Sequence, residues 1–162
     1  MQIRSSDEHG PSLARHLATE ADTLGFGEAL GRALAPGLVI YLIGELGAGK
    51  TTCARGILRG QGHHGKVKSP TYTLVELYKL SRLYLYHFDF YRLDDPHGWI
   101  DAGLREYFTA DAVCLVEWPE KAADTLPAAD LEVRFTVAND TRNIELVACS
   151  TAGRRCLSDL NP

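Results

Sequence analysis

The pattern of apolar and polar positions predicts strands alternating with helices over most of the chain. Residues 38–44 form a continuous apolar and β-branched run, LVIYLIG, which is typical of a central strand buried on both faces. A helix is predicted before this strand, starting at Asp22 or Thr23, either of which can cap it, and ending at about Leu34. A short strand is predicted earlier still, over residues 15–18. This order of elements is typical of an α/β domain.

The second half of the chain adds strands that pair with one another. TYTLVELYKL at residues 71–80 and LYLYHFDFY at residues 83–91 are separated by two residues, so the two strands must pair antiparallel. AVCLVEW at residues 112–118 is another buried-strand pattern. LEVRFTV at 131–137 and NIELVAC at 143–149 predict a final hairpin.

Two more helices are predicted between these strands. One follows Thr51 and stops at the glycines at positions 60 and 62, and the other covers about residues 100–108. The chain is therefore predicted to be a single α/β domain over residues 13–150, with a mixed β-sheet flanked by helices. We expect residues 1–12 to be a flexible N-terminus and residues 151–162 to be a C-terminal tail of unclear role.

Length and composition fit this prediction of one soluble domain. The 162 residues suffice for one hydrophobic core, and 45% hydrophobic with 23% charged residues is ordinary for a globular protein. No apolar run approaches the roughly 20 residues needed to cross a bilayer. The first ten residues, MQIRSSDEHG, are polar and include acids, unlike a secretory signal or a transit peptide. We expect a cytoplasmic protein with no membrane segment.

Cysteine spacing and net charge limit the classes of site and partner. The four cysteines lie far apart without a CxxC pair, so neither a disulfide framework nor a zinc site is predicted. The formal net charge is −4, whereas a protein that holds nucleic acid by itself is usually basic. Lys66 and Lys68 are too few to change this expectation, so any RNA is expected to be held mainly by another component.

The strongest chemical motif is a phosphate-binding loop at residues 44–51. The segment GELGAGKT matches G-x-x-x-x-G-K-[ST] between a predicted buried strand and a predicted helix, as phosphate binding requires. Its glycines let successive N–H groups turn toward phosphate oxygens, and the helix adds its positive end. Lys50 supplies charge at the β and γ phosphates, and Thr51 can ligate magnesium. The predicted ATP-binding residues are Gly44, Glu45, Leu46, Gly47, Ala48, Gly49, Lys50, Thr51 and Thr52.

Two acids are predicted to complete this site. Asp89 follows LYLYHF and Glu117 follows AVCLV, so both carboxylates leave buried strands at the carboxyl edge of the sheet, where α/β sheets bind ligands. Phosphate-loop chemistry needs a carboxylate for magnesium and a group that orients the attacking water. The spacing does not divide these roles between the two acids. His87, on the same strand as Asp89, is interpreted as a core histidine rather than a ligand.

Two further segments have open interpretations. Ser69-Pro70-Thr71-Tyr72-Thr73 lies where GTPase-like proteins carry a segment ordered by the γ-phosphate, and it also fits a plain turn entering a strand. Trp118, followed by Pro119, is either a lid over the nucleotide or packing at the rim of the site.

Together the motifs resemble a known family. GELGAGKTT, VKSPTYTLVELY, HFDFYRL and CLVEWPE occur in this order at familiar spacing. They closely resemble the TsaE (YjeE) family, the small P-loop ATPases of bacterial tRNA threonylcarbamoyladenosine (t6A) synthesis. The resemblance covers nearly the whole chain, from about Thr23 through the strand of Arg142.

The resemblance implies a function that the residues alone do not. It implies slow hydrolysis of Mg-ATP together with the partner proteins TsaB and TsaD, which transfer the threonylcarbamoyl group to adenosine 37 of tRNA. It also implies that the tRNA is contacted indirectly, through that complex. Thr51 and Glu117 would then bind magnesium, and Asp89 would be the residue most needed for hydrolysis.

Other residue roles are implied in the same way. Residues 69–73 would be a switch-like segment, and Trp118 a functional position. Thr23 and Arg142 would approach the base or ribose of ATP, although Arg142 also fits an exposed hairpin charge.

Two other functions remain as alternatives. An autonomous small-molecule kinase with a P-loop usually closes an arginine-rich lid over the phosphates, and no clustered arginines follow the P-loop helix here. A nucleotide-sensing adaptor would bind ATP without hydrolysing it, and the two acids argue against that function.

Overall fold

A mixed β-sheet organises the part of the chain that the computed structural model describes, residues 2–6 and 10–160. The sheet has eight strands in the order β1-β2-β8-β7-β3-β6-β5-β4. The strands are β1 (Gln2–Ser6), β2 (Gly10–Leu17), β3 (Val39–Ile43), β4 (Val75–Lys79), β5 (Tyr84–Asp89), β6 (Ala112–Glu117), β7 (Leu131–Ala138) and β8 (Thr141–Ala148). The helices are α1 (Glu20–Arg32), α2 (Lys50–Gly60), α3 (Gly98–Asp101) and α4 (Thr151–Leu160). Short 3-10 turns cover Leu104–Tyr107 and Pro119–Ala122.

The centre of the sheet is parallel and its edges are antiparallel. Strand β3 pairs in parallel with β6 and β7, and β5 pairs in parallel with β6. The two hairpins, β4–β5 and β7–β8, are antiparallel as predicted. Strands β3, β5 and β6 therefore end at the same edge, with the loop to α2 directly after β3. The α/β fold with a mixed sheet is confirmed.

The sheet separates two hydrophobic clusters. One face packs against α1, α2 and α4 through side chains that include Phe26, Ile57 and Leu157. The other face carries an aromatic cluster around Phe88 and Trp99. None of the helices in the described residues is long and apolar enough to cross a membrane.

Helices α1 and α2 approach each other unusually closely because glycines line their contact. A Cβ added to Gly56 would lie 2.4 Å from the carbonyl oxygen of Leu24 and 2.9 Å from the Cα of Gly27. A Cβ on Gly60 would lie 2.2 Å from the carbonyl oxygen of Glu28. No real side chain tolerates these distances from backbone atoms, so the two helices pack backbone to backbone and α1 supports the P-loop helix directly.

The start of α1 differs from the prediction. Thr19 is the N-cap, since its hydroxyl accepts from the N–H of Asp22 at 3.1 Å while the Asp22 carboxylate accepts from the Thr19 N–H at 3.1 Å. Asp22 is thus the reciprocal partner in a capping box rather than the cap, and Thr23 lies within the first turn. The helix was predicted correctly, but its predicted start lies about one turn after the observed start.

Both chain ends carry more structure than expected. A flexible N-terminus was predicted up to residue 12. Residues 2–6 instead pair with residues 10–14, and β2 pairs with β8. Backbone pairing to an edge strand needs no strong apolar pattern, which explains why the pattern did not reveal it. The expected tail at 151–162 begins with α4, whose Cys156 and Leu157 are buried in the main cluster.

Two central elements also differ from their predictions. The strand expected to be buried on both faces is β3, in which Ile40 and Leu42 are buried while Val39, Tyr41 and Ile43 are half-buried. The helix predicted over 100–108 is divided into α3 and a 3-10 turn. Gly103, with φ +78° between them, adopts a left-handed conformation that ends a helix.

Candidate functional site

The loop from Gly44 to Gly49 connects β3 to α2 at the carboxyl edge of the sheet. Gly47 and Gly49 have φ angles of +76° and +103°, which favour glycine over residues with a Cβ. Gly49 is also the N-cap of α2, without a side-chain cap, so the first N–H groups of the helix face the loop. This strand–loop–helix geometry provides the backbone donors and helix end that phosphate oxygens need.

Lys50 is held at the floor of this loop. It is buried, its Nζ donates to the carbonyl oxygen of Gly44, and the same Nζ lies 3.9 Å from the centre of the Trp118 ring. Burial lowers the pKa of the Lys50 ammonium below its usual value, with the nearby Glu117 acting in the opposite direction. A partly desolvated ammonium of this kind is a strong site for an anionic ligand.

Asp89 and Glu117 are direct neighbours across β5 and β6, where they are paired in register. Both are buried, with 8% and 3% of their surface exposed. Burial raises the pKa of the Asp89 carboxyl, and the Glu117 charge adds to this effect, while the N–H of Tyr91 donates to Asp89 Oδ1 at 3.0 Å and opposes it. The two acids predicted from separate strand ends thus form one carboxylate pair.

Thr51 connects the P-loop to this carboxylate pair. Its hydroxyl lies 3.5 Å from Glu117 Oε2, at the long limit of a hydrogen bond. A hydroxyl and carboxylate oxygens are the ligand types that Mg²⁺ prefers, and Mg²⁺ is commonly bound by one or two protein groups together with phosphates and waters. The residues present therefore fit a magnesium ion held against a phosphate chain.

Two cavities of about 360 Å³ each lie on the two sides of the loop and share Gly47, Gly49 and Thr52. The phosphate-side cavity is also lined by Leu46, Lys50, Thr51, Thr71, Asp89, Tyr91, Arg92, Glu117 and Trp118. The hairpin-side cavity is also lined by Leu17, Thr19, Glu20, Thr23, Asp140 and Arg142. The two cavities therefore adjoin each other at the P-loop.

Comparison with known proteins identifies the family. The sequence profile of "Threonylcarbamoyl adenosine biosynthesis protein TsaE" matches residues 17–144. A protein of Haemophilus influenzae described as "tRNA threonylcarbamoyladenosine biosynthesis protein TsaE" is 45% identical over 152 residues, which cover 91% of this chain and 96% of that protein. The chain belongs to the TsaE family.

Other relatives agree with this membership. The TsaE proteins of Treponema pallidum and Bacillus subtilis are 39% and 44% identical over 119 and 105 residues, covering 74% and 65% of this chain and 87% and 65% of those proteins. The crystal structure of YdiB from Bacillus subtilis superposes with a TM-score of 0.76 at 27% identity, covering 99% of this chain and 96% of that one. The resemblance to TsaE is thereby confirmed, and with it a place in the family of t6A biosynthesis proteins.

In this TsaE-family chain, Thr23 and Arg142 border the hairpin-side cavity from opposite sides. Thr23 is buried on α1, and its methyl Cγ2 would lie 3.4 Å from a Cβ on Gly49. Arg142 on β8 donates through Nη2 to the carbonyl oxygen of Gly47 at 3.0 Å. Arg142 therefore contacts the P-loop itself. Four further lining residues were missed by sequence reasoning, since no motif marks Leu17, Thr19, Glu20 or Asp140.

The predicted switch-like segment forms a turn at the mouth of the phosphate-side cavity. Ser69 and Thr71 share a hydroxyl hydrogen bond of 2.6 Å, and of these five residues only Thr71 lines the cavity. Tyr72 is 83% exposed, with the Arg92 guanidinium 4.7 Å from its ring centre. Both earlier interpretations fit this position, because the segment is a turn that enters β4 and also borders the site.

Trp118 closes the same cavity from the side of β6. Its φ of +57° is unusual for a residue with a Cβ, and its ring packs 5.0 Å from that of Tyr91. This backbone turn brings the indole over Lys50 immediately after Glu117. Trp118 thus lines the cavity, a position that fits both a lid and packing at the rim of the site.

His87 contacts a predicted site residue, a contact that the sequence analysis did not predict. It is fully buried, as a core histidine would be, but its Nε2 lies 2.6 Å from Glu117 Oε2. The signal was present in the sequence: residues two apart on a strand face the same side, so His87 shares a face with Asp89.

Proposed function

We propose that this chain binds and hydrolyses Mg-ATP as the ATPase subunit required for t6A formation at adenosine 37 of tRNA, acting with the TsaB–TsaD complex. The observation that carries the proposal is the meeting of Lys50, Thr51, Asp89 and Glu117 around one cavity at the P-loop. Family membership supplies the t6A context. The family resemblance supplies the partner proteins.

The roles proposed for the residues follow from their positions. The N–H groups of residues 47–52 and the ammonium of Lys50 bind the phosphates. The Thr51 hydroxyl and the Glu117 carboxylate hold Mg²⁺, which neutralises charge on the β and γ phosphates when bound. The hairpin-side cavity, between Thr23 and Arg142, takes the ribose and base.

Asp89 is proposed to act on the attacking water. Its Oδ1 accepts from Tyr91, and no hydrogen bond from the described residues reaches Oδ2, so one oxygen remains available on the cavity side. Burial raises the pKa of Asp89, which makes its carboxylate a better proton acceptor than an exposed aspartate. Asp89 therefore orients the water and favours loss of its proton.

The proposed partnership agrees with the charge of the chain. A net charge of −4 does not favour independent tRNA binding, so the tRNA is expected to contact this subunit through TsaB–TsaD. Because tRNA modification of this kind takes place in the cytoplasm, that is the proposed compartment.

Reconstitution tests this proposal. Purified TsaB–TsaD, unmodified tRNA and the threonylcarbamoyl donor are incubated with and without this chain, and t6A is measured over many turnovers. Sustained t6A formation only with the chain is the expected result. Equal formation without it would contradict the function. The Asp89→Ala variant serves as the discriminating control: full t6A formation with that variant would favour the nucleotide-sensing adaptor instead.

A further inference from the structure

His87 makes a single, short hydrogen bond inside the sheet. Its side chain is fully buried on β5, and its Nε2 lies 2.6 Å from Glu117 Oε2 on β6. In the form of Glu117 that binds a metal ion, the carboxylate carries no proton, so the imidazole Nε2–H donates and Glu117 accepts. Charge-assisted hydrogen bonds of this length are among the stronger ones in proteins.

The other ring nitrogen has no such partner. Within residues 12–160, whose side chains are described, Nδ1 of His87 is the one buried side-chain nitrogen or oxygen without a hydrogen bond. Leaving a buried polar atom unpaired destabilises the folded state. An apolar side chain would fill this position without that cost, so the contribution of the histidine lies in its contact with Glu117.

That contact determines how the Glu117 carboxylate is turned. The Thr51 hydroxyl and His87 Nε2 both approach Oε2, whereas no hydrogen bond from the described residues reaches Oε1. Glu117 also lines the phosphate-side cavity. With Oε2 held from two directions, Oε1 is the oxygen left to face a ligand.

We propose that His87 is a positioning residue for the magnesium site, holding Glu117 so that its carboxylate meets the ion in one orientation. This inference rests on the proposed binding of Mg-ATP. Hydrogen-bond partners of metal ligands restrict the ligand to the productive rotamer, and their loss typically weakens metal affinity about 10–100-fold. His87 itself contacts neither ATP nor the ion in this account.

Two amide variants test whether a hydrogen-bond donor at the place of Nε2 is what Glu117 requires. In His87→Gln an amide donor reaches about as far as Nε2, whereas in His87→Asn the same amide ends one bond earlier and misses Glu117. Leu85→Ala is the matched packing control, because Leu85 is fully buried two residues earlier on the same face of β5. Thermal unfolding of each variant first establishes that it is folded.

The measurement is the binding of a fluorescent, non-hydrolysable ATP analogue during a Mg²⁺ titration, with a parallel measurement in EDTA. His87→Asn should raise the Mg²⁺ concentration that gives half-maximal enhancement of analogue binding about 10–100-fold. Its binding of the analogue in EDTA should be unchanged. His87→Gln should stay within a few-fold of wild type. Leu85→Ala should lower the unfolding temperature without changing the Mg²⁺ requirement.

The results distinguish failure of this inference from failure of the proposed function. A wild-type chain whose analogue binding ignores Mg²⁺ overturns the proposed function and this inference with it. If analogue binding by the wild type depends on Mg²⁺ and His87→Asn leaves the Mg²⁺ requirement unchanged, the positioning role alone is overturned. Equal weakening in His87→Asn and Leu85→Ala also overturns it, because the effect would then reflect general loosening of the strand.

Discussion

The two sides of the phosphate-side cavity are built in different ways. The P-loop side, formed by residues 44–52 with α1 and α2, is backed by helices in backbone contact through Gly27, Gly56 and Gly60. The outer side, formed by Ser69–Thr73, Tyr91, Arg92 and Trp118, consists of turns and half-exposed aromatic contacts. The first side depends on close packing, and the second depends on contacts that water can replace.

This difference assigns the two sides different tasks. Dense packing keeps the N–H groups of the loop and Lys50 in one arrangement, so under the proposed function little reorganisation would accompany phosphate binding. Segments with few buried contacts open at lower free energy than packed helices. Under the proposed function, the outer side would adjust to a nucleotide or to a partner, while the P-loop side and the Asp89–Glu117 pair would stay fixed.

The P-loop side should be intolerant of a single added methyl group. Gly56→Ala places a Cβ against backbone atoms of α1 and should destabilise the fold by about 1–3 kcal/mol, because the helices must separate. Gly25→Ala is the control on α1 itself, where nothing lies within 4 Å, and should stabilise by roughly 0.5–1 kcal/mol. Urea unfolding measures both. Similar effects of the two substitutions would refute the close contact.

The buried carboxylate of Asp89 should destabilise the folded state at neutral pH. Burial raises its folded-state pKa above the usual value of 3.8, so the protonated form contributes stability that is lost as pH rises through the folded-state pKa. Asp89→Asn, always neutral, should unfold at a higher temperature than wild type at pH 7. The gain should shrink as pH falls toward 3.8.

Thermal scans between pH 7 and pH 4 test this prediction without nucleotide or Mg²⁺. An Asp89→Asn variant less stable than wild type at pH 7, or a gain that does not change with pH, would contradict the burial argument.

A substitution on the outer side should change the free energy of unfolding least. Tyr72→Ala removes a large side chain that is 83% exposed, and it should change the free energy of unfolding by no more than about 0.5 kcal/mol. The same urea series that reports on Gly56→Ala measures it. A loss of 1 kcal/mol or more would mean that the segment is as firmly held as the P-loop side, and the contrast would disappear.

Local signals made much of this architecture predictable. The strand, loop and helix around residues 38–60 follow from an apolar run, a glycine motif and terminating glycines, all close together in sequence. Asp89 and Glu117 could be placed at the carboxyl edge because each follows its own buried run. The family resemblance then added the context of t6A synthesis.

Contacts between strands that are distant in sequence could not be predicted from local patterns. That Asp89 and Glu117 lie side by side depends on the register between β5 and β6. Strand β2 depends on pairing with β8 and strand β1 on pairing with β2, and backbone pairing leaves little trace in side-chain type. The sequence could place His87 on the same face as Asp89, but its contact with Glu117, 30 residues away in sequence, depends on the register between β5 and β6.

The central claim, that the P-loop and the Asp89–Glu117 pair form one ATP-hydrolysing site, is tested most directly with Asp89→Ala. ATP binding and phosphate release are measured on the same preparations of wild type and variant, with Mg²⁺ and TsaB–TsaD present. The account predicts that the variant binds ATP within about threefold of wild type while hydrolysis falls about 100-fold or more. Hydrolysis that persists at the wild-type rate would contradict it.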